Sequence, residues 1–364
     1  MRLMTMLEKD KPSPFLDPGS VEIWDTWFRW REDGQLRDIS VEATWERVAQ
    51  ALAQAEQIAS SRWVTRMIDL QARWQVVFDE RILAGAGTRN FVWPRDPLAV
   101  LNAASFVHSP FSPDARFDFE SFRASAELAV RGLDNALLLH RGDPGSQFAD
   151  LRVGLIGIAD ALALMGKRYD SPSGRVLAGQ IAQALAHACL AANSDLANDR
   201  GALSDASIAA VELARLRDAP SVLLESVQRT GVRHRRVTGI TSQRRLAQLA
   251  NGLADALEPL DRCDFQRDGA STANGRTKSA GGYACLIAKR GGALPGPAAA
   301  FIDGQRNSSI AAQISLRGAV QPWIDAPIDY PFRVAHVPDA QVTARLQQLA
   351  AANRLGDLNL AVNA

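Results

Sequence analysis

Hydrophobic positions along the chain recur mostly with the period of an α-helix. In the first clear case they follow Ser40, a residue type that commonly caps helices, and they are Val41, Trp45, Val48, Leu52 and Ala55. A second series continues the rhythm through Trp63, Met67, Leu70, Trp74 and Val77. The spacing predicts two amphipathic helices, the first reaching to about Ala59, with their tryptophans in the core rather than on a base-stacking surface.

The same periodicity predicts further helices downstream. Asp118 is expected to cap a long helix, whose apolar stripe is Phe119, Phe122, Ala126, Val130, Leu133 and Leu137. Another helix is predicted to end at Gly201, two more to run to about Gln228, one to cover residues 243–258, and a last one to run from Asp339 to about Asn353. The apolar run Tyr283–Ala288 predicts a strand, and residues 268–282 predict a polar loop.

These elements predict an α-rich α/β protein with a few short strands. Four regions are expected: a flexible lead over residues 1–19, a helical region over residues 20–83, a central region over residues 84–262, and a loop-rich segment with a few strands and a terminal helix over residues 263–364.

Composition narrows the class of protein. The 364 residues are 47% hydrophobic, and 41 Lys and Arg against 40 Asp and Glu leave a net charge of +1. Such a balance gives no overall attraction to nucleic acid or to a membrane surface. Three widely spaced cysteines, together with an N-terminus that has no apolar leader segment, predict a protein of the reducing cytoplasm without a disulfide scaffold.

Several kinds of site are excluded by what the sequence lacks. The histidines have no spacing typical of a metal site, and they are His108, His140, His187, His234 and His336. The chain has neither a phosphate-binding GxxxxGK loop nor a G-x-S-x-G nucleophile elbow, and Gly154–Gly157 is not a complete dinucleotide fingerprint. We therefore expect no metal and no nucleotide loop of these standard types.

One local signal points to a ligand. The run from Arg229 to Arg245 contains six arginines and no acidic residue, and a segment rich in hydroxyl groups lies within it, just before a predicted helix. Arginines beside free amides favour phosphate, and the candidate binding residues are Arg235, Arg236, Thr238, Gly239, Thr241 and Ser242. The alternative is a solvated turn in which Thr241 or Ser242 is an ordinary helix cap.

Several stretches match motifs of one enzyme family. They read TWERVA at residues 44–49, RILAGAGTRNFV at 81–92, LAVLNAASFV at 98–107, FDFESFRASAELAVRGLDN at 117–135, RVGLIGIAD at 152–160 and SDLANDRGA at 194–202. In order and spacing they resemble motifs of the ribonucleotide reductase large subunit, above all the cobalamin-dependent (class II) type. The resemblance covers roughly residues 21–260, and the segment Arg235–Ser242 is weakly similar to the family's phosphate loop.

The chain departs from the family at its sulfur chemistry. The family motif NCFV contains a redox cysteine, whereas here Asn90 is followed directly by Phe91. The second redox cysteine would lie near Asp96, and only residues 93–97 stand where the family has the long stretch bearing its radical cysteine. Because a carboxylate can neither carry the radical nor form the disulfide, the resemblance implies a degenerate, truncated homologue that lacks the radical and redox cysteines.

The resemblance therefore implies a remnant of the reductase α/β barrel and a pseudoenzyme with no catalytic residue of the family in place. We expect a nucleotide- or phosphate-binding or regulatory module, with a homodimer as an open alternative and no membrane or specific nucleic-acid partner. Adenosylcobalamin belongs to the family but is not expected here, because much of the surrounding barrel is missing. One alternative is an enzyme with a repurposed site built from Arg95, Asp96 and Arg152. Another is that the name ribonucleoside-diphosphate reductase applies by ancestry alone.

Overall fold

The computed structural model describes residues 13–56, 60–140, 148–260, 282–291, 302, 308–334 and 337–362. The expectations for the lead up to residue 12 and for the polar loop at 268–281 concern residues outside these ranges. No helix among the described residues is long and apolar enough to cross a membrane.

The described part is mainly helical. Its α-helices are α1 (Pro18–Ile23), α2 (Val41–Ala53), α3 (Ser60–Ala72), α4 (Glu80–Gly85), α5 (Phe119–Leu139), α6 (Ile158–Leu164), α7 (Pro172–Arg200), α8 (Ser207–Leu216), α9 (Ser221–Thr230), α10 (Arg244–Leu249), α11 (Tyr283–Arg290), α12 (Ile310–Val320) and α13 (Ala340–Ala352). Its strands are β1 (Arg31–Glu32), β2 (Gln35–Leu36), β3 (Val76–Phe78), β4 (Leu98–Asn102), β5 (Val107–His108), β6 (Arg116–Phe117), β7 (Arg152–Ile156), β8 (Phe332–Val334) and β9 (Leu360–Val362).

The predicted helix caps Ser40 and Asp118 are confirmed, and Asp339 caps the predicted last helix in the same way. The side chains of Ser40, Asp118 and Asp339 accept hydrogen bonds from backbone amides in the first turns of α2, α5 and α13. Helix α2 ends at Ala53, before the predicted Ala59, and Glu56 beyond its end pairs with Arg131 on α5. The tryptophans predicted for the core, Trp45, Trp63 and Trp74, are buried.

A small sheet runs through the main core. Its strand order is β3-β4-β7, with β3 antiparallel and β7 parallel to β4. On the free edge of β7, a parallel bridge between Val153 and Thr238 adds the segment 236–239. Helix α5 packs on the sheet so closely that a Cβ at Gly132 would lie 2.9 Å from the Phe78 ring. Within the described ranges, the strands form this open sheet and separate two-stranded pairs, and no closed barrel.

Two predictions for the C-terminal half are wrong. Residues Tyr283–Ala288 are not a strand but the start of α11, because Ala284, Cys285 and Ala288 are buried at the spacing of one helical face. The helix predicted over residues 243–258 stops at Leu249, since Asn251 and Gly252 take left-handed backbone conformations with φ of 70° and 71°. In addition, Cys285 is disulfide-bonded, which the sequence had not led us to expect.

Candidate functional site

The predicted phosphate-binding segment lies beside the central sheet. The amide of Val153 donates to the carbonyl of Val237 at 2.8 Å, and the amide of Gly239 donates back to the carbonyl of Val153 at 3.2 Å. The two chains approach so closely at Gly154 that a Cβ there would lie 2.8 Å from the Gly239 carbonyl oxygen. Glycine at position 154 therefore allows the segment 236–239 to pair with β7.

A carboxylate of the protein accepts hydrogen bonds from the backbone amides of this segment. The amides of Val237 and Thr238 both donate to Oδ2 of Asp325 at 2.9 Å. The backbone amide of Asp325 in turn donates to the Thr238 hydroxyl at 2.8 Å. The Oδ1 atom of Asp325 lies 2.6 Å from Nη1 of Arg217. The protein's own aspartate thus stands where the sequence predicts an external anion.

A second carboxylate holds the hydroxyl end of the segment. The Ser242 hydroxyl donates to Oδ2 of Asp255 at 2.5 Å, and the Gln243 amide donates to Oδ1 at 2.6 Å. Burial raises the pKa of Asp255 against these hydrogen bonds, which lower it. Gln243 is the N-cap residue of α10, so neither Thr241 nor Ser242 is the helix cap that the sequence offered as an alternative. Thr241 instead accepts a hydrogen bond from the Gln243 side chain.

The two candidate arginines face solvent. Arg235 pairs with Asp205 at 2.8 Å, and the two side chains are 56% and 63% exposed. The Arg235 guanidinium lowers the pKa of Asp205 by hydrogen bonding. The Arg236 side chain is also exposed, while its amide donates to Oδ1 of Asp150. Arg235 and Arg236 therefore remain accessible to an anion, whereas the Val237 and Thr238 amides do not.

The carboxyl end of β7 is covered. Gly157 follows β7 with a φ of 69°, and a Cβ there would lie 2.9 Å from both the Asn102 side-chain oxygen and Leu253. The Gly157 amide donates to the Ala254 carbonyl at 2.8 Å, and the Ala254 amide donates to the buried Asp160 at 2.8 Å. Parallel α/β sheets usually bind ligands at the carboxyl ends of their strands. Here the chain around Leu253 fills that place.

The alternative enzyme site is assembled in part, at the opposite end of the strands. Oδ2 of Asp96 lies 2.7 Å from Arg152, and its Oδ1 lies 3.0 Å from Arg81. Arg81 also pairs with Asp79 at 2.6 Å, and these hydrogen bonds raise its pKa. Arg95 is exposed and no hydrogen bond joins it to Asp96 or Arg152. We call Asp79, Arg81, Asp96 and Arg152 the surface cluster.

Motif residues of α5 and α7 meet in a second group, the buried cluster. At its centre is Asp134, which accepts hydrogen bonds from Arg233 at 2.6 Å, from the His234 ring at 3.0 Å and from Arg200. The side chains of Asp134, Arg233 and His234 are fully buried. Burial raises the pKa of Asp134, but the hydrogen bonds and charges of His234 and Arg233 outweigh it and lower the pKa to about 2.

The buried cluster extends to the end of α2. Glu56 pairs with Arg131 at 2.8 Å and with Arg200 at 3.1 Å, and it also accepts a hydrogen bond from Asn135 at 2.9 Å. The Asn193 side chain on α7 accepts from the amides of Arg233 and His234 at 3.0 and 2.8 Å. The motif residues of α5 and α7, together with these neighbours, therefore join α2, α5, α7 and the residues just before the 236–239 segment, which is a structural role.

The described cysteines are not available for thiol chemistry. Cys189 is 1% exposed, and burial raises the pKa of its thiol well above the usual value. Cys285 is disulfide-bonded. Reactive thiols need an accessible thiolate, which neither residue provides.

Sequence reasoning missed Asp255 and Asp325, the two carboxylates that hold the candidate segment. Asp325 lies 87 residues beyond Thr238 in the chain. No local pattern marks it, since it follows a Pro-Trp-Ile turn and belongs to no motif. Only the packing of the turn after α12 against β7 and Thr238 brings it into place.

The central region also matches a known family. Residues 97–261 fit the family model described as "Ribonucleotide reductase, barrel domain". The matched stretch begins just before β4 and includes α5, β7, α7 and the 236–239 segment. Over this stretch the chain is similar to ribonucleotide reductase large subunits.

Proposed function

We propose that this protein is a ribonucleotide-reductase-like protein without reductase activity, which acts as a nucleotide- or phosphate-binding or regulatory module. It is a degenerate relative of the cobalamin-dependent (class II) type. The proposal concerns two separate properties, the loss of the reaction and the retention of an anion-binding surface, and each has its own test.

The state of the two described cysteines supports the loss of the reaction. The family reaction requires a redox pair and a radical cysteine, and the position nearest to one redox cysteine is held by Asp96, which is ion-paired to Arg81 and Arg152. Among the described residues, Cys189 is buried and Cys285 is in a disulfide. In addition, Leu253 packs over the carboxyl end of β7, where α/β proteins usually bind their substrates.

The test is a direct activity assay. The purified chain is incubated with ribonucleoside di- and triphosphates, adenosylcobalamin and dithiothreitol, beside an active cobalamin-dependent reductase as the positive control. We expect no deoxyribonucleotide above the level of a heat-treated sample. Turnover that is lost in Cys189→Ser or Cys285→Ser would show that the chain uses sulfur after all and would overturn this part of the proposal.

The anion-binding part rests on the chemistry of residues 235–242. The carboxylate of Asp325 accepts hydrogen bonds from the amides of Val237 and Thr238, which supports a preference of this segment for negative groups, and Arg235 and Arg236 are exposed beside it. Arg235 is now neutralised by Asp205. A phosphate group would therefore compete with the carboxylate of Asp205 for the exposed Arg235 side chain.

This competition gives a sharp test. Asp205→Asn frees Arg235 without disturbing the core, because Asp205 is exposed. We expect tighter binding of inorganic phosphate and nucleoside diphosphates to Asp205→Asn, and weaker binding to Arg235→Ala, both measured by calorimetry. Arg229→Ala, at the end of α9 and in the same basic run, serves as the matched control. Equal affinities in all four proteins would remove residues 235–242 as the binding site.

A further inference from the structure

A cavity of about 120 Å³ lies between α7 and α8, beside Arg235 and Val237 at the start of the candidate segment. Helix α8 faces it with Ala206, Ala210, Leu213 and Ala214, which share one helical face. Two facing helices with small side chains can normally approach until no space is left between them. Here a space remains, so something must hold the helices apart.

Polar contacts at both ends of α8 hold this spacing. Beyond its C-terminus, the Arg217 carbonyl lies 2.9 Å from the His187 ring on α7, and the Arg217 guanidinium binds Asp325 and the Pro322 carbonyl. Before its N-terminus, the Leu203 amide donates to the Val232 carbonyl at 2.8 Å. Hydrogen bonds thus fix the frame around the cavity, and a fixed frame is typical of a preformed ligand pocket.

The residues that line the cavity define the chemistry of an occupant. Most lining side chains are apolar, among them Leu190, Val232 and the α8 alanines. Asp325 and Arg217, which are paired with each other, also line the cavity. The other polar lining residues are His187, Asn193, His234 and Arg235. The Oδ1 atom of Asp325 can accept a further hydrogen bond, whereas a charged ligand would lose its hydration against the apolar walls.

We infer that this cavity is a binding site for a small neutral apolar molecule that carries one hydroxyl group. Its apolar body lies among the α8 alanines, and its hydroxyl donates to Asp325. An apolar cavity of about 150 Å³ accommodates benzene, so the occupant of this somewhat smaller cavity has about six or seven non-hydrogen atoms. The inference goes beyond the proposed function, because it does not require any anion to bind at Arg235.

The experiment is a thermal-shift titration of the full chain with phenol, toluene and inorganic phosphate at millimolar concentration. We expect phenol to raise the unfolding temperature by about 2 °C or more, toluene to raise it less, and phosphate to give no change that depends on the cavity. No response to phenol would overturn the inference. An equal response to phenol and toluene would overturn its hydroxyl component.

A cavity-filling variant assigns the response to this site. Ala210→Leu adds three carbons to the cavity, so the phenol response should fall at least tenfold in apparent affinity without a lower unfolding temperature of the free protein. Ala351→Leu, the same substitution at an exposed position of α13, is the matched control and should keep the full response. If Ala210→Leu does not fold, Ala214→Val is read in the same way. A full phenol response in the cavity variant would overturn the inference.

Discussion

The buried cluster and the surface cluster are made of the same chemistry in opposite surroundings. Both place an aspartate between arginines, at 2.6 Å for Asp134 and Arg233 and at 2.7 Å for Asp96 and Arg152. Asp134 is completely buried, whereas the Asp96 side chain is 58% exposed. Although the distances are similar, we expect the two ion pairs to contribute very differently to the free energy of unfolding.

The difference follows from solvation. A buried carboxylate cannot return to water, so removing its charge leaves Arg200, Arg233 and His234 without their shared partner in the core. An exposed carboxylate is solvated whether or not its partner is present, and salt screens the pair. Sequence similarity to the reductase barrel domain thus persists here in residues that hold the fold.

The largest expected effect is the loss of the central charge in the buried cluster. Asp134→Asn keeps the shape of the side chain but removes the buried carboxylate that Arg200, Arg233 and the His234 ring share. We expect the free energy of unfolding to fall by about 3 to 5 kcal/mol, measured by urea denaturation. Asp199→Asn removes an exposed partner of Arg131 and is the control, with a change below about 0.5 kcal/mol. A small loss in Asp134→Asn would mean that the cluster is well hydrated.

A second substitution should disturb the buried cluster through a steric clash and leave the surface cluster unchanged. Gly154→Ala places a Cβ against the Gly239 carbonyl, and pushing residues 236–239 from β7 also displaces Arg233 and His234. We expect a loss of about 3 kcal/mol, while the pairing of Arg152 with Asp96 stays intact. Gly239→Ala meets its nearest neighbour at 3.4 Å, which is an ordinary contact, and should cost far less. Equal losses in the two variants would refute the steric explanation.

The buried cluster should also show itself in the pH dependence of stability. The pKa of Asp134 falls from 3.8 to about 2 on folding, so its contribution is complete above pH 4 and is lost as the pH falls through 2. Between pH 5 and pH 2.5 we expect the stability difference between wild type and Asp134→Asn to shrink by about 1.5 kcal/mol. A difference that stays constant over this range would show that the proton affinity of Asp134 is the same in both states.

The smallest effect is expected in the surface cluster. Asp96→Asn removes an exposed partner of Arg81 and Arg152, so the free energy of unfolding should change by less than about 0.5 kcal/mol, and less still in high salt. The measurement is urea denaturation at low and high ionic strength. A loss comparable to that of Asp134→Asn would remove the contrast between the two clusters.

Local patterns predicted much of the helical framework because their causes are local. Ser40, Asp118 and Asp339 cap helices by bonds to residues only three positions away. Short apolar runs such as Tyr283–Ala288 were ambiguous, since burial and not propensity decides between helix and strand. The candidate anion segment was found by its arginines, but its occupation by Asp255 and Asp325 depends on long-range packing that no nearby residue signals.

The order of pairing in the sheet has a consequence for how the chain reaches its native state. Strands β3 and β4 are neighbours along the chain, but β7 joins only after α5, and residues 236–239 join only after α7, α8 and α9. Until β7 has paired with it, the apolar strand β4 exposes an unpaired edge. Such non-local pairing is slow. The nascent polypeptide therefore exposes an aggregation-prone strand edge until residues 236–239 have been synthesised and have paired with β7.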